Sequence, residues 1–342
     1  MTLQLKSLAA CCLFLCAAIL ACNPDNSTGK AETPQTEEQV LIPVFNRDSA
    51  YAHVVTQLEF GPRNPGSSGI LSCRDWMVSK LEAYGSEVIR QKFTATLHGG
   101  EKFPSENIIA QFNPENRTRI ILAAHYDTRA IAEEDPDPER QNDPIPGADD
   151  GASGVAVLIE IARLLKEEPI GLGVDLVFFD AEDQGTRHSD DDPDNTSWCI
   201  GAQYWSANLH RKNYKPRFGI LLDMVGAQGA FFNKENLDRI HPHAREIHQL
   251  YSRVWNLAAA MGKGRYFQNR TIAGIIDDHY YVNKIAGIPM IDIISKPPSA
   301  SEGFGPHWHT HGDDLSIIDK NTLGAVGQVI TAVVYRTAGG NF

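Results

Sequence analysis

Apolar positions along the chain alternate between two periods, and each period predicts an element. Residues near 48–59 read as a helix capped by Asp48. The turn cluster GPRNPG at residues 61–66 follows, then a second helix capped by Ser67 or Ser68, with Leu71, Met77, Val78 and Leu81 at helical spacing and Gly85 as its stop. Residues 88–94 and 106–112 read as a hairpin pair. Mostly apolar runs at residues 120–124, 174–179 and 218–222 read as buried strands, residues 288–294 as a further strand, and residues 153–165 as a buried helix. A long helix over 242–261 and a last one capped by Asp319 or Asn321, ending near Arg336, complete the pattern.

Continuous apolar strands separated by helices predict an α/β fold: an open mixed, mostly parallel β-sheet with helices on both faces. No repeat and no second break in composition interrupts residues 43–342, which read as one catalytic domain. The loops at 129–146 and 184–195 are long, acidic and proline-containing, which marks them as functional or mobile.

The first segment reads as an address. Lys6 precedes a short apolar run, and Ile19-Leu20-Ala21-Cys22 resembles a bacterial lipobox, so residues 1–21 are expected to be removed on export and Cys22 to be lipidated. Residues 22–42, polar and without aromatics over most of their length, then form a flexible tether. The expected setting is the periplasm or cell envelope, with contact to a membrane only through the lipid. Of 342 residues, 43 are acidic and 31 basic, a net charge of −12 that argues against nucleic acid as a partner. Cys73 and Cys199 are the only cysteines beyond Cys22. They either pair or sit as two buried small side chains.

Acids and histidines cluster where such a sheet places its ligands, beyond the carboxyl ends of strands. His125 and Asp127 follow one strand, Glu182 and Asp183 another, Asp223 a third, and His309 the last, while Asp149-Asp150 precede the buried helix. Each alone is a common cap or turn residue. Together, without a CxxC pair, carboxylates and imidazole form a zinc donor set. Adjacent Glu182 and Asp183 would let one carboxylate hold the metal while its neighbour moves a proton.

The blocks LAAHYD (122–127), GADDGASG (147–154), FFDAED (178–183), LDMVG (222–226), DDH (277–279) and WHT (308–310) together resemble the zinc aminopeptidase-like M28 family, nearest its glutaminyl-peptide cyclotransferase branch. The resemblance implies a zinc-exopeptidase-like fold with one zinc on Asp150, Asp183 and His309. It implies Glu182 as the catalytic acid–base, with Asp223 and Asp277 in its hydrogen-bond network. Phe304 and Trp308 would line a small substrate pocket. No Trp directly follows Asp183, so Trp198, or else Trp205, would supply the remaining wall. The implied reaction turns the N-terminal glutamine of peptides or proteins into pyroglutamate, releasing ammonia. Nothing in the sequence suggests an obligate dimer, so a monomer is expected. The alternative is a two-zinc aminopeptidase, in which His125 and Asp223 bind a second zinc and Asp150 bridges. Trp308 directly before His309, Phe304 five residues before it, and the DDH block favour the cyclase.

Overall fold

Alternate residues of the central strands feed two separate apolar layers, which is why these strands are apolar along most of their length, with Asp175 and Asp292 as buried exceptions. Ile120, Leu122 and Ala124 join a large core with helices from both ends of the chain, whereas Ile121 and Ala123 join a smaller one containing Trp205, Tyr281 and Val282. The computed structural model describes residues 40–187, 191–237, 243–298 and 303–342. The expected signal segment, the lipidated Cys22 and nearly all of the tether lie outside the described residues.

The elements run α1 (Arg47–Glu59), α2 (Ser68–Ala83), β1 (Glu87–Thr96), β2 (Lys102–Phe112), β3 (Arg119–His125), α3 (Ala152–Glu167) and β4 (Gly173–Phe179). Then follow α4 (Ile200–Ala207), β5 (Gly219–Asp223), β6 (Phe232–Asn236), α5 (Ala244–Ala260) and β7 (Phe267–Ala273). The chain closes with α6 (Asp278–Tyr281), β8 (Met290–Ile294) and α7 (Lys320–Ala338). Six strands form one sheet in the order β1-β2-β4-β3-β5-β8, and β6 and β7 form a separate parallel pair. Strands β4, β3, β5 and β8 are mutually parallel, while β2 runs antiparallel to both β1 and β4. The mixed, mostly parallel sheet expected from the sequence is therefore present.

The chain passes from β3 to β4 on one side and later returns to β5 on the other. That reversal opens a crevice above the carboxyl end of β3, the place where open α/β sheets bind ligands. Helix α3 starts there and is buried over nearly its whole surface. Its entry needs glycine: Gly151 has φ +90°, and a Cβ on it would stand 2.7 Å from the carbonyl of Asp127. A Cβ on Gly154 would lie 2.3 Å from the Leu222 carbonyl, so this helix packs directly on β5.

Several boundaries differ from the sequence reading for local reasons. The first helix is capped by Asn46, whose side chain accepts from the amides of Asp48 and Ser49, leaving Asp48 in the first turn. Ser67 and Asp319 cap α2 and α7 as anticipated. Met77, Val78 and Leu81 are buried as expected, but Leu71 is exposed, and Ile70 and Cys73 complete the buried stripe of α2. Among the described residues no helix is long and apolar enough to cross a membrane. Cys73 and Cys199 are both free and buried.

Candidate active site

Four strand ends supply the groups. His125 is the last residue of β3, and Asp223 the last of β5. Glu182 and Asp183 follow β4, and His309 lies in the segment after β8. Asp150 enters from the turn before α3. Asp127 fixes the β4 acids: its carboxylate accepts from the amides of Glu182 (3.0 Å) and Asp183 (3.2 Å). Asp313 does the same on the other side, accepting from the amides of Asp149 (2.7 Å) and Asp150 (3.0 Å).

The structure brings Asp150, Asp183 and His309 together, with one donor atom of each mutually within 4.8 Å. His309 Nε2 stands 3.1 Å from Asp183 Oδ1 and 4.0 Å from Asp150 Oδ2. His125, Asp150 and Asp223 form a second such set, His125 Nε2 lying 3.0 Å from Asp150 and 3.1 Å from Asp223. Both donor sets anticipated from the sequence therefore exist, and they share Asp150.

The first set fits a zinc ion. Oδ2 of Asp183 is buried with no hydrogen-bond partner among the described residues, an orphaned acceptor of the kind a cation satisfies. Burial raises the Asp183 carboxyl to about 6 and that of Asp223 to about 8, and the nearby Asp150 adds to both. Burial, and then Asp183 and Asp277, push Glu182 well above the ordinary carboxylate range. Burial opposes a charge on His309, yet Asp183 and Glu133 lift it to about 9. The pocket thus concentrates negative potential at a point a dication would occupy.

Around these donors lies a cleft of about 520 Å³, lined by Glu182, Asp277, Trp198, Phe304 and Trp308 among others. The His309 ring stacks on two indoles, Trp308 at 3.7 Å between ring centroids and Trp198 at 6.0 Å. Phe304 leans on Trp308 at 5.3 Å. Trp205, the alternative wall, is instead fully buried against Phe179 and Tyr214. Trp198 reaches the cleft because Gly185 lies beneath it: a Cβ there would come within 1.9 Å of the indole.

Sequence reasoning passed over a second layer. His309 Nδ1 meets Glu133 Oε1 at 3.1 Å, and Arg129 grips Glu133 through Nε (2.9 Å) and Nη2. The other terminal nitrogen of Arg129 donates to the carbonyls of Asp183 (3.1 Å) and Gly185 (2.8 Å), and its guanidinium lies 4.6 Å from the Trp198 ring centroid. The signal available was the length and acidity of the loop that begins at Arg129. Cys199 was also missed as a neighbour of the site; its thiol donates to Glu182 Oε1 at 3.1 Å. His307 and His311 belong to neither donor set; they pair with Asp149 and Asp135.

Comparisons with known proteins agree with this geometry. The model of peptidase family M28 matches residues 107–334. The chain is 43% identical to a zinc-dependent exopeptidase from Parabacteroides distasonis, with TM-score 0.81, over 86% of this chain and 99% of that one. It is likewise 43% identical to a glutaminyl cyclase from Tannerella forsythia, again with TM-score 0.81 and the same shares. Bovine glutaminyl-peptide cyclotransferase is 24% identical over 298 residues, 80% of this chain and 77% of that protein. The strand-end donors and the match across them lead to one assignment: the chain belongs to peptidase family M28.

Proposed function

We propose that the protein is a zinc-dependent glutaminyl-peptide cyclotransferase, converting the N-terminal glutamine of peptides or proteins into pyroglutamate and releasing ammonia. The observation that carries this reading is the aromatic wall of Trp198, Trp308 and Phe304 around the donor set. A narrow apolar wall suits a reaction whose nucleophile and electrophile belong to the same residue. The likeness to the Tannerella forsythia glutaminyl cyclase supports it.

Asp150, Asp183 and His309 would hold one zinc ion, which supplies Lewis acidity toward the γ-amide oxygen of the substrate. Glu182 stands at the cleft wall with its carboxyl raised by burial, poised to accept a proton from the attacking α-amine. The same carboxyl then delivers that proton to the departing ammonia. Asp277 lines the same cleft and stands within 4.8 Å of a Glu182 oxygen, placing it in this proton traffic. Asp223 binds His125 and so keeps that imidazole beside Asp150. Trp198 and Trp308 hold the glutamine side chain folded over its own amine and keep water out. Orientation of this kind is worth up to about 7–11 kcal/mol in an intramolecular attack.

The second reading is a two-zinc aminopeptidase, favoured by the His125, Asp150 and Asp223 set. Mass spectrometry of a peptide beginning with glutamine separates the two. Cyclisation lowers the mass by one ammonia, whereas aminopeptidase action removes the whole first residue, and that second product would overturn the proposal. Glu182→Gln is expected to cut turnover by about 10²–10⁴-fold while zinc content stays unchanged. The proposed setting is the cell envelope, supported by the lipobox-like sequence ending in Cys22.

A further inference from the structure

Cys199 sits beside the active site without a role in the reaction just described, and its surroundings are those of a cation site. Three elements converge there. Glu182 comes from the end of β4, Cys199 from the start of α4 and Asp277 from the start of α6. The Cys199 sulfur, a Glu182 oxygen and an Asp277 oxygen all lie within 4.8 Å of one another. Asp277 Oδ1 is occupied by the amide of Asp278, while Oδ2 is buried and, among the described residues, meets no N–H or hydroxyl donor, the Asp292 carboxyl being its neighbour. The set shares no residue with the Asp150, Asp183 and His309 donors.

From this geometry we infer that Glu182, Cys199 and Asp277 form a second, inhibitory site for a soft divalent cation such as Zn²⁺ or Cd²⁺. A thiolate with two carboxylates selects such ions over Mg²⁺ and Ca²⁺. Tetrahedral bonds of about 2.3 Å to sulfur and 2.0 Å to oxygen hold the donors roughly 3.3–3.5 Å apart. The Cys199 sulfur and Glu182 Oε1 are already 3.1 Å apart, and the Asp277 oxygen, within 4.8 Å of both, is the donor that closure must draw in. Glu182 and Asp277 line the open cleft, which gives the ion its entry; Cys199 is fully buried behind them. On binding, the Cys199 S–H gives its proton to water, and the sulfur donates the freed electron pair to the cation. Glu182 then carries a metal instead of a proton and no longer serves as a base. Excess zinc would thus silence the enzyme that one zinc activates. This consequence rests on the role proposed for Glu182; occupancy of the site does not.

The test titrates protein carrying one equivalent of zinc with Cd²⁺, following the ultraviolet thiolate-to-cadmium absorption and the bound metal after dialysis. A second equivalent binds with that absorption while the zinc stays in place. The Asp150, Asp183 and His309 set contains no sulfur, so exchange there adds no such band. Cys199→Ser removes the band and weakens the second equivalent at least about 10–100-fold. Cys73→Ala, in the core beneath α2, leaves both unchanged. Asp277→Asn, nearly isosteric, weakens the second equivalent while keeping the band, and serves if the serine variant fails to fold. No band in the wild-type protein, a band that survives Cys199→Ser, or wild-type affinity in Asp277→Asn each overturns the assignment. In parallel, excess Zn²⁺ inhibits glutamine cyclisation, and Cys199→Ser shifts that inhibition to higher zinc. If the protein proves not to cyclise glutamine, the absorption still decides the site.

Discussion

Replacing Glu133 by glutamine tests whether the layer behind the zinc donors holds the metal. His309 presents Nε2 to Asp183 and Asp150, so its proton belongs on Nδ1, which faces Glu133 Oε1 at 3.1 Å. Burial works against a charge on Glu133, but hydrogen bonds from His309 and Arg129 prevail and bring its carboxyl down to about 2. The residue is therefore an anion at any working pH, fixing the tautomer that leaves Nε2 free for metal. A glutamine keeps one oxygen for Nδ1–H but loses the charge. Carboxylates in this position contribute about 10–100-fold to metal affinity, or roughly 1.4–2.7 kcal/mol. We expect Glu133→Gln to weaken zinc binding toward the lower figure. Glu133→Ala, which also strips Arg129 of its carboxylate partner, should reach the upper one. Competition with a chromogenic chelator reads the affinity directly and needs no substrate. If the folded Glu133→Ala protein holds zinc within twofold of wild type, the layer does not support the metal and the reasoning fails.

Three other outcomes follow from single contacts. Gly185→Ala places a Cβ where the Trp198 indole now lies, so it should raise KM for glutamine peptides while zinc affinity stays within twofold; unchanged KM would dissociate Trp198 from substrate. Arg119 pairs with the fully buried Asp175 at 2.5–2.6 Å, so Arg119→Met should cost about 3–5 kcal/mol in urea unfolding, because the carboxylate is left uncompensated. His210 accepts from the indole of Trp205 at 3.2 Å and burial holds it neutral, down to about 4, so the unfolded chain binds its proton first. That contribution to stability is complete above about pH 6.5 and is lost as pH falls toward 4, up to roughly 3 kcal/mol. In His210→Gln the dependence of unfolding free energy on pH should be shallower over that interval.

The sheet was legible because both of its faces are covered, which makes the central strands mostly apolar runs, Asp175 and Asp292 apart, that need no alternation to be seen. Helix α3 was legible for the same reason. Strand β7 was not: FQNRTIA is largely exposed and pairs only with β6, so no apolar pattern marks it. Helix α4 has only eight residues, and its first turn follows the acidic loop without a capping side chain. At the site, donors on strand ends were readable because acids directly after apolar runs break the composition sharply. The enclosure of the His53 and His210 side chains was not readable, since nothing local in the sequence announces the partners that surround them. Glu133 and Arg129 escaped for a related reason. Their partners, His309 and Trp198, come from segments far along the chain, and an acid in an acidic loop looks like solvated surface.

Composition marks the donors, but conformation makes the site. Ala181, Cys199, Met224 and His309 all have left-handed backbones, with φ between 46° and 55°. Such residues cost of order 1–3 kcal/mol each and persist only where their surroundings over-determine them. Each here adjoins a donor or is one. Ala181 precedes Glu182, Met224 follows Asp223, and Cys199 bonds Glu182 through its thiol. The compensating bonds are local: the amides of Cys199 and Ile200 donate to the carbonyls of Glu182 (2.8 Å) and Ala181 (3.0 Å). After Met224, Val225 N donates to Ser153 Oγ (2.9 Å) and Gly226 N to Asp149 Oδ1 (2.6 Å). A strand leaving the sheet in extended geometry would carry its next side chains outward along the strand axis. The left-handed residue turns the chain sharply at the sheet edge, so that acids from neighbouring strands face one another instead of solvent. The strain and the convergence of like charges are thus one feature, and the family's chemistry depends on both being held by the same few hydrogen bonds.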